Sequence, residues 1–122
     1  MKTILVADDS PIIQNIIEKS LKSEYNILKA NDGYEVIKLI IDNPDSISGI
    51  LLDLKMPKYD GFKVLEYFKS NNLFEKIPIS IISGDDTKDT IDKAFEYDIV
   101  DMLNKPFSKD SILSIASKTV NR

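Results

Sequence analysis

The chain has 122 residues, 43% of them hydrophobic and 30% charged, the length and balance of one compact domain rather than a disordered or fibrous chain. It contains no cysteine and no histidine, which removes disulfides, thiolate nucleophiles, zinc–sulfur sites and the usual neutral-pH proton shuttle, and with them Ser or Cys hydrolase triads. The net charge of −4 opposes direct nucleic-acid binding, no apolar run reaches the ~20 residues a bilayer requires, and no secretory signal opens the chain, so a cytoplasmic protein without membrane insertion is expected.

Short runs rich in Ile, Leu and Val alternate with stretches of helical periodicity, the pattern of βαβ units and a parallel sheet. The first run, Ile4 to Ala7, closes on Asp8 and Asp9. Ser10 reads as an N-cap and Pro11 as the first residue of a helix with Ile12, Ile13, Ile16, Ile17 and Leu21 on one face. Asn26 to Ala30 read as a second, weaker strand. Asp32-Gly33-Tyr34-Glu35 has the form of a capping box opening a helix through Ile37, Ile40 and Ile41, which Asn43-Pro44 ends.

The run Ile50-Leu51-Leu52 is continuously apolar, as a strand covered on both faces is, and it ends on Asp53. Gly61 begins a helix with Phe62, Leu65 and Phe68 on one face, and Pro78 opens a fourth strand, Ile79 to Ile82, stopping at Ser83-Gly84-Asp85-Asp86. A helix from Thr87 to Glu96 should bury Ile91, Ala94 and Phe95, and Val100 to Leu103 form a last strand before Lys105-Pro106. A final helix starts near Ser108 with Ile112, Ile115 and Ala116 inward. With no linker, repeat or low-complexity tract, one domain over residues 1–122 is expected, a doubly wound three-layer α/β sandwich of five strands and five helices. Periodicity alone does not give the strand order.

The polar residues Asp8, Asp9, Asp53, Ser83 and Lys105 each fall where an apolar strand ends, which is where open α/β sheets bind ligands. Singly, such an Asp is often only a helix cap or turn residue, and such a lysine a solvated charge. Their joint placement carries more weight, because Ser10 already serves as the cap of the first helix and leaves Asp8 and Asp9 without an obvious structural duty. Three converging carboxylates repel unless a cation sits among them, and oxygen ligands without nitrogen or sulfur favour Mg²⁺.

These residues resemble the response-regulator receiver domains of two-component signalling, of which chemotaxis-type single-domain receivers are one form. The likeness covers nearly the whole chain. It is carried by Asp8-Asp9, by Ile50 to Pro57 continuing to Asp60-Gly61, by Ser83-Gly84 and by Lys105-Pro106-Phe107. It implies a flavodoxin-like sheet in the order 2-1-3-4-5 and phosphorylation on Asp53, a carboxylate nucleophile forming an acyl phosphate. It further implies Mg²⁺ on Asp9 directly, on Asp8 mainly through water, on Asp53 and on the backbone carbonyl of Lys55. Lys105 then contacts the phosphoryl oxygens from a cis Lys105-Pro106 bond, and the Ser83 hydroxyl is drawn to the phosphoryl group. Lys55 and Asp85 border the entrance, where an ion pair between them is expected.

The chain departs from the family's pattern at two positions. Met102 stands where many members carry a Tyr or Phe switch residue, and Asp98 where a Gly is common. The aromatic half of the switch is thereby put in question, whereas Asp tolerates the left-handed backbone better than most residues. Tyr97, Ile99 and Met102 lie towards the face through which receivers signal, and ordinary packing accounts for any one of them. The implied function is a signalling module, with a histidine kinase or phosphotransfer protein as donor and an unidentified downstream protein as partner. A small-molecule phosphatase built on an aspartyl nucleophile and Mg²⁺, with Lys55 where its acid stands, is the competing enzyme class. A binding-only degenerate receiver is the third reading, and a flavodoxin-type cofactor protein is disfavoured because no phosphate-cradling loop follows the first strand.

Overall fold

A computed structural model describes residues 1–122. Ten elements alternate along the chain: β1 (Thr3–Ala7), α1 (Pro11–Leu21), β2 (Asn26–Ala30), α2 (Gly33–Asp42), β3 (Ile47–Leu52), α3 (Gly61–Ser70), β4 (Ile79–Ser83), α4 (Lys88–Ala94), β5 (Met102–Asn104) and α5 (Lys109–Val120). The strands pair in parallel in the order β2-β1-β3-β4-β5, the flavodoxin-like order that the resemblance implied. No helix is long and apolar enough to cross a membrane.

Successive side chains of a strand point to opposite faces, so the central strands divide their apolar residues between two helical layers. Leu5, Ala7, Ile50, Leu52, Ile79 and Ile81 enter the larger core with Val36 and Ile40 of α2, Val64, Leu65 and Phe68 of α3, and Ala94 of α4. Ile4, Val6, Leu51 and Ile82 enter the smaller one with Ile17 and Leu21 of α1 and Ile112, Ile115 and Ala116 of α5. Each fully buried side chain of this size contributes about 1.5–3 kcal/mol relative to exposure, which is why continuous apolar runs become the inner strands.

The caps follow the sequence closely. Ser10 Oγ accepts from Ile13 N, with Pro11 first in α1, and Asp32 accepts from Glu35 N at 2.9 Å. Glu35, however, reaches back to Asn31 N rather than Asp32 N, so the expected capping box is displaced by one residue. A reciprocal box does close at α5, between Ser108 and Ser111.

Three details depart from the expected elements. In α1, Ile12 and Ile16 are exposed, and the buried stripe runs through Gln14, Ile17, Ser20 and Leu21, because the Gln14 amide is drawn under the strand ends by backbone acceptors. Helix α2 likewise leaves Ile41 in solvent. Helix α4 is shorter than Thr87 to Glu96: Thr87 is its cap, Ala94 its one buried residue, and Phe95 is exposed. Strand β3 starts earlier than Ile50, since Ile47 already pairs with Thr3 across an irregularity, and β5 begins only at Met102.

Close backbone approach fixes where α3 starts. A Cβ on Gly61 would lie 2.5 Å from Asp53 O and 2.6 Å from Leu54 Cα, backbone atoms that cannot turn aside. Gly61→Ala is therefore expected to lower stability by about 1–3 kcal/mol, read as a lower urea midpoint with an unchanged slope. An unaltered midpoint would contradict the tight approach.

Candidate functional site

Register builds the site. Ala7 lies opposite Leu52, so Asp8 and Asp53 emerge side by side one residue later, Asp53 N donating to Ala7 O at 2.8 Å. Ser83 lies opposite Asn104, and Lys105 N donates to Ser83 O at 2.8 Å. The five residues singled out in the sequence thus share the carboxyl-terminal edge of the sheet.

Ligand oxygens of Asp8, Asp9 and Asp53 all lie within 4.8 Å of one another. Asp8 and Asp53 are buried and Asp9 is exposed, so the cluster opens to solvent on the Asp9 side. Lys105 enters from the edge strand, its Nζ 2.8 Å from Asp8 Oδ2 and 3.5 Å from Asp53 Oδ2. The Lys105-Pro106 bond is cis, as the resemblance implied. Asp8 has a structural duty after all, because its Oδ1 accepts from Ser10 N at 2.9 Å and closes the turn into α1, while Oδ2 meets the lysine.

Gln14 is the contributor that sequence reasoning missed. Its buried amide donates to Asp8 O at 2.6 Å, Ala30 O at 3.0 Å and Asn31 Oδ1 at 2.9 Å, which pins the β1–α1 loop to the end of β2. Its spacing was the available signal: 14, 17 and 21 form one helical stripe, and a polar residue on a buried stripe needs partners.

Burial pushes the Asp53 carboxyl up to about 6, and the Asp8 carboxylate adds to the rise; the Lys105 ammonium and the Lys55 amide pull the other way. Burial alone would depress Lys105, yet its hydrogen bond to Asp8 and the facing carboxylates hold its pKa above the usual lysine value. The cluster therefore carries more negative charge than one lysine balances. An all-oxygen, partly open triad of this kind suits a hard divalent cation such as Mg²⁺.

The loop after β3 forms one wall. Leu54 and Met56 are buried with Lys55 exposed between them, and Leu54 O accepts from Gly61 N at 3.0 Å, closing the loop at the start of α3. Lys58 sits at φ 67° inside a γ-turn closed by Tyr59 N donating to Pro57 O at 2.7 Å. Tyr59 O in turn accepts from Gly33 N at 2.8 Å, where any Cβ would be 2.3 Å from that oxygen. Lys55 N donates to Asp53 Oδ1 at 3.3 Å.

Lys55 and Asp85 both border a cleft of about 480 Å³ that also touches Asp9, Met56, Phe62 and Thr90. They do not form the expected ion pair. The Asp85 carboxylate instead accepts from Thr87 N at 3.0 Å and from Thr90 Oγ1 at 2.9 Å, local partners that outcompete an exposed lysine. Ser83 is buried, and its Oγ accepts from Asp85 N at 3.0 Å. Met102 is half-buried and packs against the larger core. Asp98 does not adopt the left-handed backbone; it is exposed and pairs with the Arg122 guanidinium.

Comparison with known proteins decides the family: residues 4–117 match the model of the response regulator receiver domain. The chain is a member of that receiver family. The receiver domain is 30% identical over 120 residues to a two-component response regulator of Arabidopsis thaliana, covering 98% of this chain and 18% of that protein. In fold it is similar to the signal receiver domain of a Luxo repressor protein from Vibrio parahaemolyticus, with TM-score 0.91, 23% identity, and 99% of this chain and 91% of the other covered. It is also similar to a chain of the CheX-CheY-BeF3-Mg complex from Borrelia burgdorferi, with TM-score 0.86, 22% identity, and 94% and 86% covered. The acidic pocket of Asp8, Asp9 and Asp53 is of the type found in phosphoacceptor response regulators, and receiver domains are signalling modules rather than conventional enzymes.

The raised Asp53 pKa fixes a sign for stability. Between the unfolded value of 3.8 and about 6 the folded state binds the extra proton, so without divalent cation the receiver domain should lose stability as pH rises through that window. Asp53→Asn should accordingly be more stable than the wild type at pH above 6, by on the order of 3 kcal/mol, with the gain fading as pH falls towards 4. Urea unfolding in EDTA at several pH values measures this, and an equal gain at all pH values would refute the burial argument.

Proposed function

We propose that this receiver domain accepts a phosphoryl group on Asp53 from a partner's phosphohistidine and changes shape so as to alter its affinity for a downstream protein. The observation that carries the reading is the gathering of Asp8, Asp9, Asp53 and Lys105 around one opening, with Asp53 buried at its base. A Asp53 carboxylate oxygen bonds to phosphorus as the phosphorus–nitrogen bond to the donor imidazole breaks, its electron pair returning to that nitrogen. The residues of this chain include no histidine, so the imidazole belongs to the donor, a histidine kinase or phosphotransfer protein.

Asp53 is raised only to about 6, so it is ionised and nucleophilic at neutral pH. Lys105, 3.5 Å from Asp53 Oδ2, supplies a compact positive charge to the arriving phosphoryl oxygens. Asp8, Asp9, Asp53 and the Lys55 carbonyl are the groups that would hold Mg²⁺, Asp8 mainly through water. Bound there, Mg²⁺ offsets charge building on the phosphoryl group. The Ser83 hydroxyl donates to a phosphoryl oxygen once it is present and draws the β4–α4 loop inward. Met102 brings neither a hydroxyl nor a rigid ring to the switch, which leaves Ser83 to begin the motion. Lys55 and Asp85, beside the cleft, set how easily water reaches the acyl phosphate.

Incubation with acetyl phosphate and Mg²⁺ should add one labile phosphoryl group by intact mass, absent from Asp53→Asn and absent in EDTA. Steady phosphate release from many esters would instead make the chain a phosphatase. No adduct from any donor would make it a binding module.

A further inference from the structure

The Ser83 hydroxyl and the first turn of α4 are joined through one residue. Asp85 N donates to Ser83 Oγ at 3.0 Å, and that hydroxyl faces Asp85 O at 3.4 Å. The Asp85 side chain reaches forward, Oδ1 accepting from Thr87 N at 3.0 Å and Oδ2 from Thr90 Oγ1 at 2.9 Å. Thr87, the helix cap, donates its own hydroxyl to Thr90 Oγ1 at 3.1 Å. The Thr87 amide, then the Thr87 and Thr90 hydroxyls, hold the Asp85 carboxyl below its usual range, as expected of a carboxylate that serves as acceptor for this turn.

Little else fastens α4. Only Ala94 among its residues is buried, and Phe95 at its end is 51% exposed. Sideways, the Lys93 ammonium lies 4.1 Å from the Phe62 ring centroid, and Tyr97 donates to Glu66 Oε2 at 2.9 Å, both ties running to α3. A segment held by polar contacts rather than apolar burial opens at the low end of a protein's stability range.

We infer that Asp85 is a positioning residue that couples the Ser83 hydroxyl to the N-terminal turn of α4. The inference rests on the role proposed above for Ser83. A hydroxyl has one proton, so donating it to a phosphoryl oxygen takes it from Asp85 O and draws Oγ away from Asp85 N. Backbone and carboxylate of Asp85 move as one residue, and hydrogen bonds weaken steeply once misaligned, so the bonds to Thr87 and Thr90 loosen with it. In a chain with Met102 at the aromatic switch position, this path links the phosphorylation site to the helix without a ring.

The full chain with Mg²⁺ provides the test. Intact mass after acetyl phosphate reports adduct formation, and amide hydrogen exchange over Thr87 to Phe95, with and without beryllium fluoride as a stable phosphoryl stand-in, reports the helix. Wild type should exchange about fivefold faster or more in α4 when activated, the factor that one lost hydrogen bond produces. Asp85→Ala and Thr90→Val should already exchange fast at rest and respond less than about twofold, while Asp85→Asn, which keeps an acceptor for Thr87 N, should retain the response. Ser83→Ala added to Asp85→Ala should change the response no further. A full-sized response in Asp85→Ala and Thr90→Val, or an unchanged α4 in activated wild type that forms the adduct, overturns the coupling alone. Absence of the adduct in wild type overturns the phosphoacceptor reading and the coupling with it.

Discussion

The repulsion among Asp8, Asp9 and Asp53 is the constraint around which the rest of the molecule is arranged. Their ligand oxygens lie within 4.8 Å of one another where the register of β1 and β3 brings the two strand ends to the same height. Two of the three are buried, which raises the cost of their charge. The fold answers with one ammonium, with Ser10 N on Asp8 and Lys55 N on Asp53, and with a solvent-facing side at Asp9. That leaves a deficit of positive charge, and the deficit is what makes the pocket receptive to a divalent ion.

The scaffold beneath the acidic residues is two apolar cores, one on each face of the sheet. Each inner strand feeds both cores, so the strand ends cannot shift without disturbing packed Ile and Leu side chains on two faces. Gln14 and Gly61 complete the frame, one by three hydrogen bonds to the first loop and its neighbours, the other by letting α3 approach the Asp53 carbonyl. On the β4–α4 side, helix α4 is held by hydrogen bonds, one cation–π contact and the single buried side chain of Ala94.

The inner strands, and the polar residues gathered where they end, were legible in the sequence because a buried parallel strand writes itself as an unbroken apolar run that a polar residue closes. Ile50 to Asp53 and Ile79 to Ser83 are instances. Helix orientation was less legible. In α1, isoleucines at 12, 13, 16 and 17 occupy adjacent rows, and periodicity does not say which row faces the sheet; Gln14 decided it through backbone acceptors that only tertiary structure supplies. The Lys55–Asp85 pair failed for a related reason, since Thr87 and Thr90 are nearer in sequence and satisfy the carboxylate first. Asp98 needed no left-handed turn, so its departure from the family's glycine carries no backbone strain.

The ammonium of Lys105 joins parts of the sheet that are not neighbours. It springs from the end of β5, a three-residue edge strand hydrogen-bonded to β4 alone, and rests on Asp8 at the end of β1, with β3 and β4 lying between. It acts as a strut laid across the rim of the sheet, bracing its least anchored strand against one seated in the middle. The charge held at the centre and the seating of the margin are therefore tied through a single side chain.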